Sequence, residues 1–241
     1  MPPTRSPWTL TVAPAWRHRF RDAASALAAF ERDGFLVHEN DRGATFQVLV
    51  DGQSLVAKRS TRQESGLWAR ITSVYRHGEG WRAYQHLAGL RAAGIPVPEP
   101  VLAIERRRFG FVVGSWHAYR YVEGVTCSCA DAPLVARALA SLHDRGWVHR
   151  DPHVRNFIRE GDRLWIIDCL RARPWRSRYA RWYDVVLLNK CCPGARVHYP
   201  GFDERDVRFR LAQRHNDWIV RWRRFKRRAR QAFGLGPRDR E

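Results

Sequence analysis

Asp151, Asn156 and Asp168 are the residues of this 241-residue chain whose types and spacing could do chemistry. Asp151 follows His149 and Arg150 in "GWVHRDPHVRNFI"; Asn156 is the fifth residue after it, and Asp168 ends the apolar run of "RLWIID". Carboxylate and carboxamide oxygens are hard donors, the class that Mg²⁺ prefers. Upstream, Lys58 falls in "SLVAKR". Phosphoryl transfer from a nucleotide requires this inventory: oxygen ligands for metal ions, a cation on the donor phosphates, and a carboxylate beside the acceptor hydroxyl. An H-R-D tripeptide alone says little in a chain so rich in arginine. The asparagine at that interval, a strand ending in aspartate and a strand lysine together make the pattern specific.

These side chains need elements to position them. In "ATFQVLVDGQSLVAKR" the residues Phe46, Val48 and Val50 alternate with Thr45, Gln47 and Leu49, and Asp51-Gly52 supplies a two-residue turn. The pattern predicts a β-hairpin with Lys58 on its second strand. "GEGWRAYQHLAGLRAAG" predicts a helix, with Trp81, Tyr84, Leu87 and then Leu90 or Arg91 at helical spacing. Gly94 and the prolines of "IPVPEP" end it. "FGFVVGSWHAYRYVEG" holds two more extended segments, with Gly124 as a turn. A second helix starts at Asp131 or Ala132-Pro133, carries Leu134, Val135, Ala138, Leu139 and Leu142 on one face, and stops at Gly146. After the loop comes a hairpin turned by Gly161-Asp162, whose run Leu164 to Ile167 reads as a buried strand, and then "ARWYDVVLLNKCC" as a buried helix. Strands dominate the front and helices the back, an α+β order.

The formal net charge is +19, and lysine occurs only at Lys58, Lys190 and Lys226. Such a charge attracts polyanions without choosing among nucleic acid, anionic lipid and phosphorylated substrate. The five cysteines match neither a zinc spacing nor a disulfide framework and are expected as buried thiols. No apolar run resembles a secretory signal or a membrane span, so an intracellular protein is expected. From Arg214 the chain becomes basic with interleaved aromatics. Read as a helix, "DWIVRWRRFKRRARQAF" puts Trp218, Trp222, Phe225 and Ala229 near one face. Contact with an anionic membrane, packing on the protein body, and nucleic-acid binding are all open to it.

"HRDPHVRN" resembles the protein-kinase catalytic loop H-R-D-x-x-x-x-N, "LWIIDCL" resembles the strand bearing the metal-binding aspartate, and "LASLHDRGWVHRD" resembles the helix entering that loop. "AGIPVPEP", "RYVEG" and "IIDCLRARP" are similar to the lipopolysaccharide kinases of the Kdo/heptose (WaaP-like) group, bacterial enzymes that phosphorylate inner-core sugars. The likeness spans roughly Thr45 to Lys190. It implies a two-lobed protein-kinase-like fold, ATP and Mg²⁺ as cofactors, and a lipopolysaccharide core or other anionic glycolipid as substrate. It further implies Asp151 as catalytic base, Asn156 and Asp168 as metal ligands, and Lys58 on the α- and β-phosphates. Tyr121 to Gly124, including Glu123, would be the hinge beside adenine. His149 and Arg150 would hold the loop, with Asp184 capping it from the following helix. Counting back from "AGIP", the glutamate that pairs with Lys58 is expected near Ala83; Glu79, one turn earlier on the same face, is taken for that role.

The sequence also departs from the family pattern. "HENDRGATF" has Gly43 as its sole glycine, V-A-x-K is compressed to Val56-Ala57-Lys58, Cys169-Leu170 follows Asp168, and no A-P-E segment is present. The last point argues against protein substrates. The sequence is thus read as an N-lobe over 1–118, a C-lobe over 119–213 and a basic tail over 214–241. The activity expected is a kinase for a Kdo or heptose hydroxyl, peripheral at the inner face of the bacterial inner membrane. The alternatives are a kinase of another small molecule or protein serine, and a non-catalytic basic scaffold or nucleic-acid binder on the same fold.

Overall fold

The computed structural model describes residues 8–40, 43–60 and 74–232, and the chain divides into two compact units, Met1–Val122 and Glu123–Glu241. In the first, β1 (Trp8–Val12), α1 (Ala23–Asp33), β2 (Phe35–Asn40), β3 (Gly43–Val50), β4 (Gln53–Ser60), α2 (Glu79–Ala92), β5 (Pro100–Arg108) and β6 (Phe111–Arg120) follow in order. The strands form one antiparallel sheet in the order β1-β5-β6-β4-β3-β2. β3 and β4 are the predicted hairpin. Asp51 (φ 47°) and Gly52 (φ 75°) are both left-handed, as the tightest hairpin turn with right-twisted strands demands.

Alternation then sorts β4. Leu55 and Ala57 are fully buried, while Lys58 faces the other way, half-buried and in register with Thr45 on β3 and His117 on β6. Trp16, Phe20, Leu27 and Phe30 join that core from the N-terminal segment and α1. Neither α1 nor β1 was among the sequence expectations. Asp22 caps α1 by accepting from the Ser25 amide at 2.8 Å, and Gly34 ends it.

Helix α2 buries Ala83, Tyr84, Leu87 and Leu90 and leaves Arg91 exposed, so Leu90 takes the fourth core position. Its start lies hard against β6. A Cβ on Gly80 would sit 2.3 Å from the Trp116 carbonyl oxygen, and the Gly80 amide donates to Ser115 Oγ at 2.8 Å. Glycine at that position lets the helix begin where Glu79 meets the sheet.

The second unit holds β7 (Val125–Thr126), α3 (Ala132–Asp144), β8 (Trp147–Val148), β9 (Phe157–Glu160), β10 (Arg163–Ile166), β11 (Arg173–Pro174), α4 (Arg178–Cys191) and α5 (Val207–Ala232). Its strands make two small sheets, β10-β9-β7 and β11-β8. Helix α3 buries Val135, Ala136, Leu139, Leu142 and His143, with Leu134 exposed, so the buried face is rotated from the predicted one. The expected buried strand is also corrected: β10 is an outer strand of which only Ile166 is buried. Its Trp165 is covered locally, under the Arg163 guanidinium at 3.9 Å and donating Nε1 to Glu160 at 2.7 Å.

Helix α5 packs on α4, burying Phe209, Ala212 and Asn216. Trp182 of α4 meets Phe209 edge to face with ring centroids 6.0 Å apart. The cysteine expectation is corrected as well. Cys129 and Cys192 are paired as a disulfide with Cα atoms 5.5 Å apart, while Cys127, Cys169 and Cys191 are free.

Candidate active site

The loop after β8 is organised from below by one buried carboxylate. Asp184, on α4, accepts from the His149 amide (Oδ2, 2.7 Å), the Arg150 amide (Oδ1, 2.8 Å) and His143 Nε2 (3.1 Å). Both Asp184 and His143 are fully buried, and hydrogen bonds to a charged acceptor are the stronger kind. His143 Nδ1 meets the Tyr199 hydroxyl at 2.8 Å, so the tautomer with its proton on Nε2 satisfies both partners. Burial pushes the Tyr199 phenol up to about 12, which keeps it a donor. The amide capping by Asp184 was readable in "YDVVLL"; His143 and Tyr199 had no assigned part.

Arg150 can be capped in this way because its backbone turns left-handed (φ 64°). His149 is fully buried, and neither ring nitrogen makes a hydrogen bond of ordinary geometry. Burial drives its imidazole below the usual histidine range, against the pull of Asp184, Asp168, Asp151 and the Ile167 carbonyl. His149 is therefore a neutral packing element, stacked near Phe157 with ring centroids 6.0 Å apart.

Above this base the loop folds back on itself. The His153 amide donates to the Asp151 carbonyl at 2.8 Å, and the Asn156 amide to the His153 carbonyl at 2.8 Å. Asn156 Nδ2 donates to the Asp151 carbonyl at 2.9 Å. Using the amide nitrogen inside the loop leaves Oδ1 as the outward atom of Asn156. The Ile167 amide donates to the Asn156 carbonyl at 2.8 Å, tying the end of β10, and hence Asp168, to the same loop.

Asp168 is left-handed (φ 55°, ψ 44°) and begins the short 3₁₀ turn Cys169–Arg171. That turn brings Arg171 back, its guanidinium 3.6 Å from Asp151 Oδ2. The pair is half exposed on both sides, so it orients more than it stabilises. Nearby, Arg173 stacks over Trp175 at 3.8 Å. Its pKa is lowered, first by burial and then by the neighbouring Arg150 charge. Arg171 and Arg173 had no role in the sequence reading. Their signal was "RAR" separated from Asp168 only by Cys169 and Leu170.

In the first unit, Lys58 Nζ lies 5.7 Å from the Tyr119 ring centroid. Glu79 accepts from Ser60 Oγ at 2.5 Å. Ser60 and Lys58 are two residues apart on β4 and so share a strand face, which puts Glu79 at the edge of the Lys58 face. Ala83, the other position considered, is buried in α2. The Tyr121 amide is committed to the Ser54 carbonyl at 2.9 Å, and Glu123 is exposed where the chain passes from the first unit to the second. In "HENDRGATF", Asp41 and Arg42 lie outside the described residues, and Gly43 faces the β4 backbone, where a Cβ would fall 2.0 Å from the Arg59 carbonyl oxygen.

Among the described residues no group of three or more His, Cys, Asp or Glu side chains gathers as a metal cage. The donor set on the loop is one carboxylate, Asp168, and one oriented amide oxygen, Asn156. This fits Mg²⁺, which keeps several waters and takes one or two protein ligands beside substrate phosphates.

No family model matches the sequence. Among solved structures, "WaaP in complex with acyl carrier protein" aligns with a TM-score of 0.54 over 90% of this chain and 97% of that one, at 19% identity. A spectinomycin phosphotransferase, APH(9)-Ia, in complex with ADP and spectinomycin aligns with a TM-score of 0.51 over 76% of this chain and 79% of that one, at 9% identity. Likenesses at such low identity concern the fold. The chain has a protein-kinase-like fold. Its β-rich N-lobe carries Lys58 and its mainly helical C-lobe carries the Asp151 loop.

Proposed function

We propose that this protein is an ATP-dependent phosphotransferase acting on a sugar hydroxyl, Kdo or heptose, of the lipopolysaccharide inner core, at the inner face of the bacterial inner membrane. The observation that carries the reading is the loop itself: Asp184 fixes its first two amides, Asn156 Nδ2 is spent on the Asp151 carbonyl, and the Asn156 carbonyl holds the strand that delivers Asp168. Nothing in folding requires an exposed aspartate and an oriented amide oxygen to be held so firmly. The spectinomycin phosphotransferase of similar fold holds ADP, which favours nucleotide use.

In the proposed reaction Asp151 aligns the acceptor hydroxyl and receives its proton as the oxygen attacks the γ-phosphorus. The new bond is O–P; the bond to the β-phosphate oxygen breaks, and ADP leaves with its electron pair. Lys58 is assigned to the donor phosphates, with Glu79 orienting it, and Tyr121 to Glu123 to adenine. Asn156 and Asp168 would hold Mg²⁺, which would supply charge neutralisation on those phosphates. Arg150, Arg171 and Arg173 give the loop a cationic rim suited to an anionic acceptor.

The test is incubation with labelled ATP, Mg²⁺ and dephosphorylated lipopolysaccharide core, with an aminoglycoside, protein and RNA as competing acceptors. Label is expected on the core, and Asp151→Asn is expected to lose transfer while still binding nucleotide. Transfer by Asp151→Asn at the wild-type rate would remove Asp151 from the chemistry. Label on spectinomycin, used as that small-molecule acceptor, would move the reading to the class of compound bound by the spectinomycin phosphotransferase. RNA binding without Mg·ATP binding would favour the non-catalytic scaffold.

A further inference from the structure

We propose that the outer face of α5 is a docking surface for an anionic lipid bilayer. Helix α5 uses one side to pack on α4, through Phe209, Ala212 and Asn216. On its other side Val207, Leu211, Trp218, Trp222 and Phe225 are 61, 50, 61, 45 and 60% exposed. At about 100° per residue these five fall within an arc of about 60°, so they form one stripe; His215 lies at its edge, with Nδ1 2.5 Å from the Tyr179 hydroxyl of α4. Exposed large apolar side chains scattered singly need no explanation, but a contiguous row does.

Charge borders the stripe. Arg214, Arg221 and Arg228 recur every seven residues along one margin, and Lys226 stands on the other, with Nζ 5.1 Å from the Trp222 ring centroid. Asp217 is the sole acidic residue of the helix. From Arg221 to Arg228 every residue is exposed, so this half of α5 stands clear of the protein body. An apolar stripe between basic margins on a strongly charged helix is the pattern that lies in a bilayer interface.

Two observations separate this occupant from others. The aromatic faces are already occupied by one another: Trp218 and Trp222 are 6.3 Å apart and nearly parallel at 4°, and Trp222 and Phe225 are 5.6 Å apart at 20°. A nucleic-acid platform needs those faces free for bases, whereas a bilayer takes the outward edges. Val207 and Leu211 continue the same row, and aliphatic side chains have no stacking use. A second copy would bring the same arginines against these.

The experiment is sedimentation of the full chain with vesicles of phosphatidylcholine alone and with one third phosphatidylglycerol. Binding is expected to the anionic vesicles only. Arg214→Gln/Arg221→Gln/Arg228→Gln is expected to weaken it about a hundredfold, at about fivefold per basic residue removed. Trp218→Ala/Trp222→Ala/Phe225→Ala is expected to weaken it at least tenfold. Equal binding to neutral vesicles, or binding by the aromatic variant within twofold of wild type, overturns the proposal, as does binding of RNA in place of vesicles. The conservative variant Trp218→Phe/Trp222→Phe guards against misfolding: brominated phosphatidylglycerol must quench wild-type fluorescence more than that of this variant. Equal quenching overturns the proposal too. None of these outcomes depends on the phosphotransfer reading.

Discussion

Asp184→Ala offers the sharpest test of how the loop is held. The carboxylate accepts from two backbone amides and one imidazole, and both Asp184 and His143 are fully buried. Removing it strands three donors, each costing about 1–3 kcal/mol when left unsatisfied in the interior. Water entering the space left behind recovers part of that. The expected loss is about 3–5 kcal/mol, the range for breaking a buried charged group from its partners. A domain's whole stability is about 5–15 kcal/mol, and in chains of this size 1 kcal/mol moves the melting midpoint by about 2–4 °C. The midpoint in calorimetry should therefore fall by roughly 10 °C. Asp184→Asn keeps one acceptor oxygen but turns an NH₂ toward a donor, so it should fall about half as far. A shift under about 3 °C for Asp184→Ala would refute the three-donor account, because no packing change could hide so large a penalty.

Two further outcomes follow from the same loop. His149 is held neutral by burial, so below pH about 6.5 the unfolded chain binds a proton that the folded one refuses. Stability should fall with acidification by up to about 1.4 kcal/mol per pH unit, and His149→Phe should lose that component when urea midpoints at pH 7.5 and 5.5 are compared. Asn156→Ala removes the oriented amide oxygen. On the proposed reading it should raise the Mg²⁺ concentration for half-maximal transfer about 10–100-fold, with a melting midpoint only about 2–4 °C lower for the single exposed hydrogen bond lost to the Asp151 carbonyl; an unchanged Mg²⁺ titration would take Asn156 out of the metal site.

The parts of this fold legible in the sequence are those fixed by neighbouring residues. The Asp51-Gly52 turn sets the register that puts Lys58 across from His117. The interval from Asp151 to Asn156 is short enough for one loop to close on itself through Asn156 Nδ2. Helix ends at Asp131 and Gly146 are likewise local. Where burial is decided at a distance, reading by apolar content failed in a consistent direction. On α3 the leucines were given more weight than the alanines, yet Ala132, Ala136 and Ala140 are buried and Leu134 is not, since small residues let a neighbouring element come close. On β10 the run Leu164 to Ile167 looked like core, but Trp165 finds its cover in the side chains of its own hairpin.

The loop shows why a site can be visible while its support is not. His143 reaches Asp184 across 41 residues of sequence and Tyr199 reaches His143 across 56, and no local pattern announces either contact. Arg171 approaches Asp151 because Asp168 turns left-handed and the following 3₁₀ turn reverses the chain. A left-handed aspartate is tolerated where its short side chain can bond locally, and sequence alone does not mark which aspartate adopts it. Oxygen donors of the right type and interval therefore point to the proposed chemistry, and the left-handed Arg150 and Asp168 decide how those donors are presented. If so, the two left-handed positions should tolerate glycine in backbone terms, and Asp168→Gly should keep the loop's hydrogen bonds while removing the carboxylate. That separates the two roles of Asp168: a variant with the wild-type melting midpoint and no Mg²⁺-dependent nucleotide binding assigns the carboxylate to the ligand alone, and a variant that unfolds shows that the carboxylate itself helps to hold the loop.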